Sequence, residues 1–116
     1  MSFDKRLALI EKLLEHTRKG KLDWEETTNP DEFIISRNEL SIAILKTKNS
    51  QNHNLYIFTI TDEDGDTIDE FDDEVWEGDN DIFRMIAELH KLARGYAKGT
   101  EQALDKLLQS FEDTPF

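Results

Sequence analysis

Apolar residues along the chain change period twice. Phe3, Leu7, Ile10 and Leu14, with Thr17 after them, recur at three- and four-residue steps. That spacing puts them on one face of a helix over residues 3–19. Ser2 is placed to cap its start and Gly20 to take the left-handed stop, with Arg18 and Lys19 suited to the dipole of the last turn. From residue 22 the period falls to two. Leu22 and Trp24 alternate with charged residues, as in a half-buried edge strand over 22–28 that Asn29-Pro30 ends. Residues 32–37 and 40–46 read as strands joined by the tight link Asn38-Glu39, with Leu40, Ile42 and Ile44 on one face. The polar stretch 47–54 reads as a loop. Residues 55–61 (LYIFTIT) give the strongest strand signal, and Asp64-Gly65 a hairpin turn into a returning strand over 67–71.

The helical period then returns. Ile82, Met85, Ile86, Leu89, Leu92, Ala93 and Tyr96 mark a helix over 80–97, capped by Asp79 or Asn80 and ended by Gly99. Thr100 caps a third helix with Ala103, Leu104, Leu107, Leu108 and Phe111 turned inward. Gly95 lies inside a helix, where glycine costs about 1 kcal/mol, and close packing under Trp24 or Trp76 is the expected reason. The fold class is α+β: an N-terminal helix, a four- to five-stranded antiparallel meander and two C-terminal helices, packed as a two-layer sandwich. Residues 1–112 form one domain in this reading, with 113–116 a frayed tail.

One strand resists the two-layer arrangement. Tyr56, Phe58 and Ile60 point one way, but Leu55 and Ile57 point the other, beside Leu45 and Ala43 on the neighbouring strand. Helices confined to one face would leave those residues in water, so either a homodimer or a helix on the second face is expected, the dimer preferred.

Charge adds what periodicity does not. The 116 residues carry a formal charge of −12. Residues 1–61 hold nine acids and nine bases, and residues 82–116 five of each. The window 62–81 holds twelve acids and no base, so it carries the whole net charge. Its self-repulsion is relieved by water, counter-ions or a basic partner. Asp62, Asp64, Asp66, Asp69, Asp72, Asp73 and Trp76 are the candidate partner-binding residues. Direct nucleic-acid binding and attachment to anionic membranes are disfavoured by this charge. The spacing fails the EF-hand pattern: with Asp62 first, Thr67 stands where glycine is needed. Only weak, adventitious divalent-cation binding is left to these carboxylates.

Catalytic signatures are sparse. The chain has no cysteine, which excludes thiol nucleophiles, thiolate metal sites and disulfides. His16, His53 and His90 belong to no metal-ligand motif, and no phosphate-cradling glycine loop or nucleophile elbow occurs. No cofactor, catalytic residue or metal site is expected. The N-terminus interrupts its apolar residues with charge and lacks the pattern of a secretory signal, which favours a cytoplasmic protein.

Trp24, Phe33, Ile42, Ile44, Tyr56, Phe58, Ile60, Asp62 and Gly65 form one recurring pattern. Leu89, Leu92, Ala93 and Arg94, then Ala103, Leu104, Leu107 and Leu108, follow it. Together they resemble small bacterial or prophage α+β proteins of unassigned activity; the resemblance implies neither reaction nor ligand. The expected function is a non-enzymatic, acidic interaction module that binds a basic protein surface through residues 62–81. Sharper forms are a nucleic-acid-mimic inhibitor, a toxin immunity protein or a secretion chaperone. The alternative from another class is a small-molecule binder or enzyme with a cleft lined by Trp24, Tyr56 and Trp76.

Overall fold

The computed structural model describes residues 2–77 and 79–112, with Ser2, Phe3 and Asp4 described by backbone alone. The Ser2 cap, the inward Phe3 side chain, Gly78 and the tail 113–116 lie outside the described side chains. Helix α1 (Ser2–Arg18) leads into strands β1 (Glu25–Glu26), β2 (Glu32–Arg37), β3 (Leu40–Lys48), β4 (Asn54–Thr61) and β5 (Thr67–Asp72). A 3₁₀ turn (Asp73–Trp76) precedes α2 (Asn80–Lys98) and α3 (Thr100–Glu112). The sheet is an antiparallel meander in the order β1-β2-β3-β4-β5. The α+β class, the order of elements and the five strands match the sequence reading.

Helix α1 ends as its sequence requires. Gly20 takes φ +68°, the Lys21 N–H reaches the His16 carbonyl and the Gly20 N–H that of Thr17. These two bonds are the Schellman arrangement. Between α1 and the sheet, Thr17 and Trp24 close a polar contact inside the core. The Trp24 indole Nε1–H donates to Thr17 Oγ1 at 3.0 Å, and both residues are buried.

The core is the helix-facing side of the sheet. Phe33, Ile44, Phe58 and Phe71 form one cross-strand row, by the pairings Phe33↔Ile44, Ile44↔Phe58 and Phe58↔Phe71. The first three are fully buried, under Ile10 and Leu14 of α1 and Ile86 and Leu89 of α2. Phe58 and Phe71 stack at 5.1 Å, and Trp76 meets Phe71 edge-on at 5.8 Å. His90 is buried between Phe33 and Tyr56, and its Nε2–H donates to the Asp31 carbonyl at 2.8 Å. Burial pushes the imidazole pKa below its ordinary value, and nearby Lys46 and Arg94 push it the same way.

Several sequence expectations are corrected. The edge strand over 22–28 shrinks to Glu25–Glu26, because Leu22 and Trp24 turn into the core before the chain reaches the sheet. β3 and β4 run to Lys48 and from Asn54, so the polar loop contracts to five residues. The backbone pairs wherever a partner strand is in register, whatever the polarity of its side chains. Gly95 lies under neither tryptophan: a Cβ there would meet only Thr100 Oγ1, at 3.8 Å. The sheet face away from the core carries Leu45, Leu55 and Ile57, which are half-buried rather than bare. Threonine and glutamate neighbours such as Thr47, Thr59 and Glu32 shield them.

The largest departure is α3. Its residues Ala103, Leu104, Leu107, Leu108 and Phe111 were expected inward, yet all of Thr100–Glu112 is exposed. Gly99, at φ +67°, caps α2 and turns α3 away from the body. The radius of gyration is 16.5 Å and the longest dimension 62 Å, against about 13 Å for the radius of a compact chain of this length.

Candidate interaction surfaces

The acidic window occupies the β4–β5 hairpin, the edge strand β5, the 3₁₀ turn and the start of α2. Its carboxylates divide into two sets, with Glu70, an exposed residue of β5 that accepts from the Thr59 hydroxyl at 3.4 Å, belonging to neither. Asp62 folds the hairpin, its Oδ1 accepting from the N–H groups of Asp64 and Asp66. Asp69 receives a bidentate contact from Arg6 at 2.6 and 3.0 Å, which holds its carboxyl below the usual range. The same guanidinium lies 4.7 Å over the Phe71 ring. Asp72 caps the 3₁₀ turn and Asp79 caps α2. Asp73 accepts from the Tyr56 N–H at 2.7 Å, and burial pushes its pKa up.

The second set has outward carboxylates. Glu63, Asp64, Asp66, Glu74, Glu77 and Asp81 are exposed and accept no side-chain hydrogen bond among the described residues. Of the candidate residues, Asp64 and Asp66 are therefore open to solvent, while Asp62, Asp69, Asp72 and Asp73 are engaged within the fold. Trp76 is half-buried against Phe71. Charge along an edge strand has a physical use of its own, since it discourages pairing with another sheet.

Helix α3 presents a second surface. Leu104, Leu107, Leu108 and Phe111 are 50–68% exposed. At 100° per residue they fall within one stripe, and Glu101, Asp105 and Glu112 lie together along one flank of it. Lys106 lies on the opposite side. A 13-residue helix that leaves its apolar stripe unpacked is marginal in water, so such a stripe asks for a partner surface.

A third surface is a groove of about 390 Å³ beside α1. Its floor is the sheet row Ile35, Ile42 and Ile60, and Leu9 and Leu13 of α1 form one wall. Leu40 lines the groove as well. Lys12, His16 and Arg37 line it too, with no carboxylate among the lining residues. His16 and Arg37 have no ion pair or hydrogen bond to another described side chain, and Lys12 has only an exposed contact with Glu15 at 3.5 Å. On a chain of charge −12 this is a local reversal of sign.

The cleft expected between Trp24, Tyr56 and Trp76 does not form. Trp24 and Tyr56 are core residues, each 4% exposed, and Tyr56 packs on Phe83 and His90. The groove lies on the other side of α1. Sequence reasoning missed it because its basic residues come from α1 and from the β2–β3 hairpin. Only the four-residue spacing of Lys12 and His16, one helical turn apart, was available as a signal. Among the described residues no three His, Asp or Glu side chains gather to hold a metal ion, and no helix is long and apolar enough to cross a membrane. Comparison of the chain with protein-family models, curated proteins and solved structures finds no match.

Proposed function

We propose that this chain is a protein-interaction module without catalytic activity, and that α3 is its docking element. One observation carries the reading: four large apolar side chains on a 13-residue helix face water, while α1 and α2 pack apolar side chains into the core. Burying such a side chain is worth roughly 1.5–3 kcal/mol, so a complementary surface gains substantially from α3. A photo-reactive amino acid placed at Leu108, in cells that naturally make the chain, tests this. A discrete protein adduct at Leu108 that is missing when the probe sits at Lys106 supports it. Identical diffuse labelling at both positions refutes it.

The acidic edge supports a second role for the same module, binding a basic protein surface. Confinement of the net charge to residues 62–81 favours it, and the open carboxylates Glu63, Asp64 and Asp66 are where it would act. Reversing those three to Lys should weaken such a complex and flatten its salt dependence. Asp69, Asp72 and Asp73 are unsuitable for that test, because their loss would disturb the fold.

A further inference from the structure

The helical layer over the sheet has two members and room for a third. On α1, residues Leu14 and Arg18 face α2, where Arg18 pairs with Glu88 through two contacts of 2.6 Å. Leu9, Lys12 and His16 fall on the opposite flank of α1, about 180° away. That flank is the wall of the groove, and the floor is the uncovered end of the sheet's core face. Helices pack side by side at 8–10 Å, so the groove is the place of a third helix next to α1.

The chain's own α3 cannot take it. Gly99 alone links α3 to α2. The last turn of α2 stands against the C-terminal end of α1, where a Cβ on Gly20 would meet the Tyr96 hydroxyl at 3.5 Å. The whole width of α1 separates that point from the groove.

We propose that the groove receives α3 of a second copy of this chain. The argument is complementarity in both apolar shape and charge. The stripe Leu104, Leu107, Leu108 and Phe111 matches a floor and wall of Leu and Ile. The flanking row Glu101, Asp105 and Glu112 meets Lys12, His16 and Arg37, which have no strong partner among the described residues. The sheet row under the groove runs on from Ile60 to Asp69 of β5, whose carboxylate is paired with Arg6, and no carboxylate is among the residues that line the groove. Reciprocal exchange of the two α3 helices gives a closed dimer with two identical contacts. A pair of α3 helices packed on each other is disfavoured by comparison, because it leaves the groove and its basic lining bare.

The inference rests on α3 being a docking element, and the two can fail separately. Light scattering across the micromolar range should show the wild-type chain self-associating. Leu107→Asp with Leu108→Asp should abolish this, as should Leu40→Asp with Arg37→Glu in the groove; all four positions are exposed, and circular dichroism checks that each variant stays folded. Each pair should weaken association by at least about tenfold. Mixing the two variants should restore a heterodimer, because the intact helix of one enters the intact groove of the other. A groove variant that still dimerises like wild type, with no heterodimer on mixing, overturns the proposal in favour of helix-on-helix pairing. A wild type that stays monomeric also overturns it; the docking reading then survives only if the Leu108 probe captures a different protein, and falls with it if the probe captures nothing.

Discussion

Replacing Thr17 by valine exchanges one hydroxyl for a methyl group of nearly the same shape. Thr17 is fully buried, and its Oγ1 is the acceptor for the Trp24 indole Nε1–H at 3.0 Å. Valine keeps the β-branch and the volume, so helix propensity and packing change little. What it removes is the acceptor, and Trp24, 4% exposed, cannot turn its N–H to water. A buried donor left unsatisfied costs about 1–3 kcal/mol. For 116 residues, an unfolding entropy of about 2.1 cal/mol/K per residue makes 1 kcal/mol equal to about 4 °C in Tm. Thr17→Val should therefore lower Tm by about 4–12 °C, read by calorimetry. A double-mutant cycle isolates the cause: in a Trp24→Phe background, which has no N–H, the same substitution should cost less than about 0.5 kcal/mol. Equal costs in the two backgrounds would refute the assigned hydrogen bond.

His90 sets a pH dependence. Its folded pKa lies below the ordinary 6.5, so the unfolded chain takes up the proton first, and stability is full above about pH 6.5 and is lost as pH falls below it. Its neighbours are Phe33, Tyr56, the Asp31 carbonyl, Lys46 and Arg94. Urea unfolding between pH 7.5 and 5 should show the loss, and an NMR titration midpoint for His90 at or above 6.5 would contradict it. The β2–β3 turn offers a stabilising change: Asn38 and Glu39 both have positive φ, at 53° and 68°, the geometry that favours Asn-Gly. Glu39→Gly should raise stability by about 0.5–1 kcal/mol, the relief of left-handed strain exceeding the added freedom of the unfolded chain; an unchanged or lower denaturation midpoint would show that no strain is stored there.

Most of the fold was legible because its signals are local. Gly20 and Gly99 stop their helices at positive φ as placed, and Asp79 caps α2 through the Ile82 N–H. The β3–β4 register follows from the apolar alternation that pairs Ile42 with Ile60 and Ile44 with Phe58. Strand ends were less legible, since Thr47 and Lys48 pair with Leu55 and Asn54 through backbone groups that side-chain polarity does not report. The candidate surfaces were hardest. An amphipathic stripe has the same period whether its partner is its own core or another chain, so Leu107 and Leu108 looked like core. The basic lining of the groove joins Lys12 and His16 to Arg37 across the β2–β3 turn, a juxtaposition that exists only once α1 lies on the sheet.

The acidic window was legible in the opposite sense: its charge was plain and its roles were hidden. A run of twelve carboxylates invites a single explanation, yet the fold uses them one at a time. Asp62 shapes a turn, Asp72 and Asp79 cap helical segments, and Asp73 accepts from the Tyr56 N–H at the start of β4. Asp69 binds Arg6 and so fixes α1 over Phe71 at the edge strand. Each of these acids satisfies a backbone donor or a half-buried cation, and that use needs no partner. Only the outward set and Glu70 remain as a field, which covers the β4–β5 hairpin, the edge strand β5, the 3₁₀ turn and the start of α2. There it has two compatible effects: it guards a free sheet edge against further strand pairing, and it attracts a basic surface. Neither α3 nor the lining of the groove contains a residue of that set, so an exchange of α3 between copies would leave the outward carboxylates of both chains free to act.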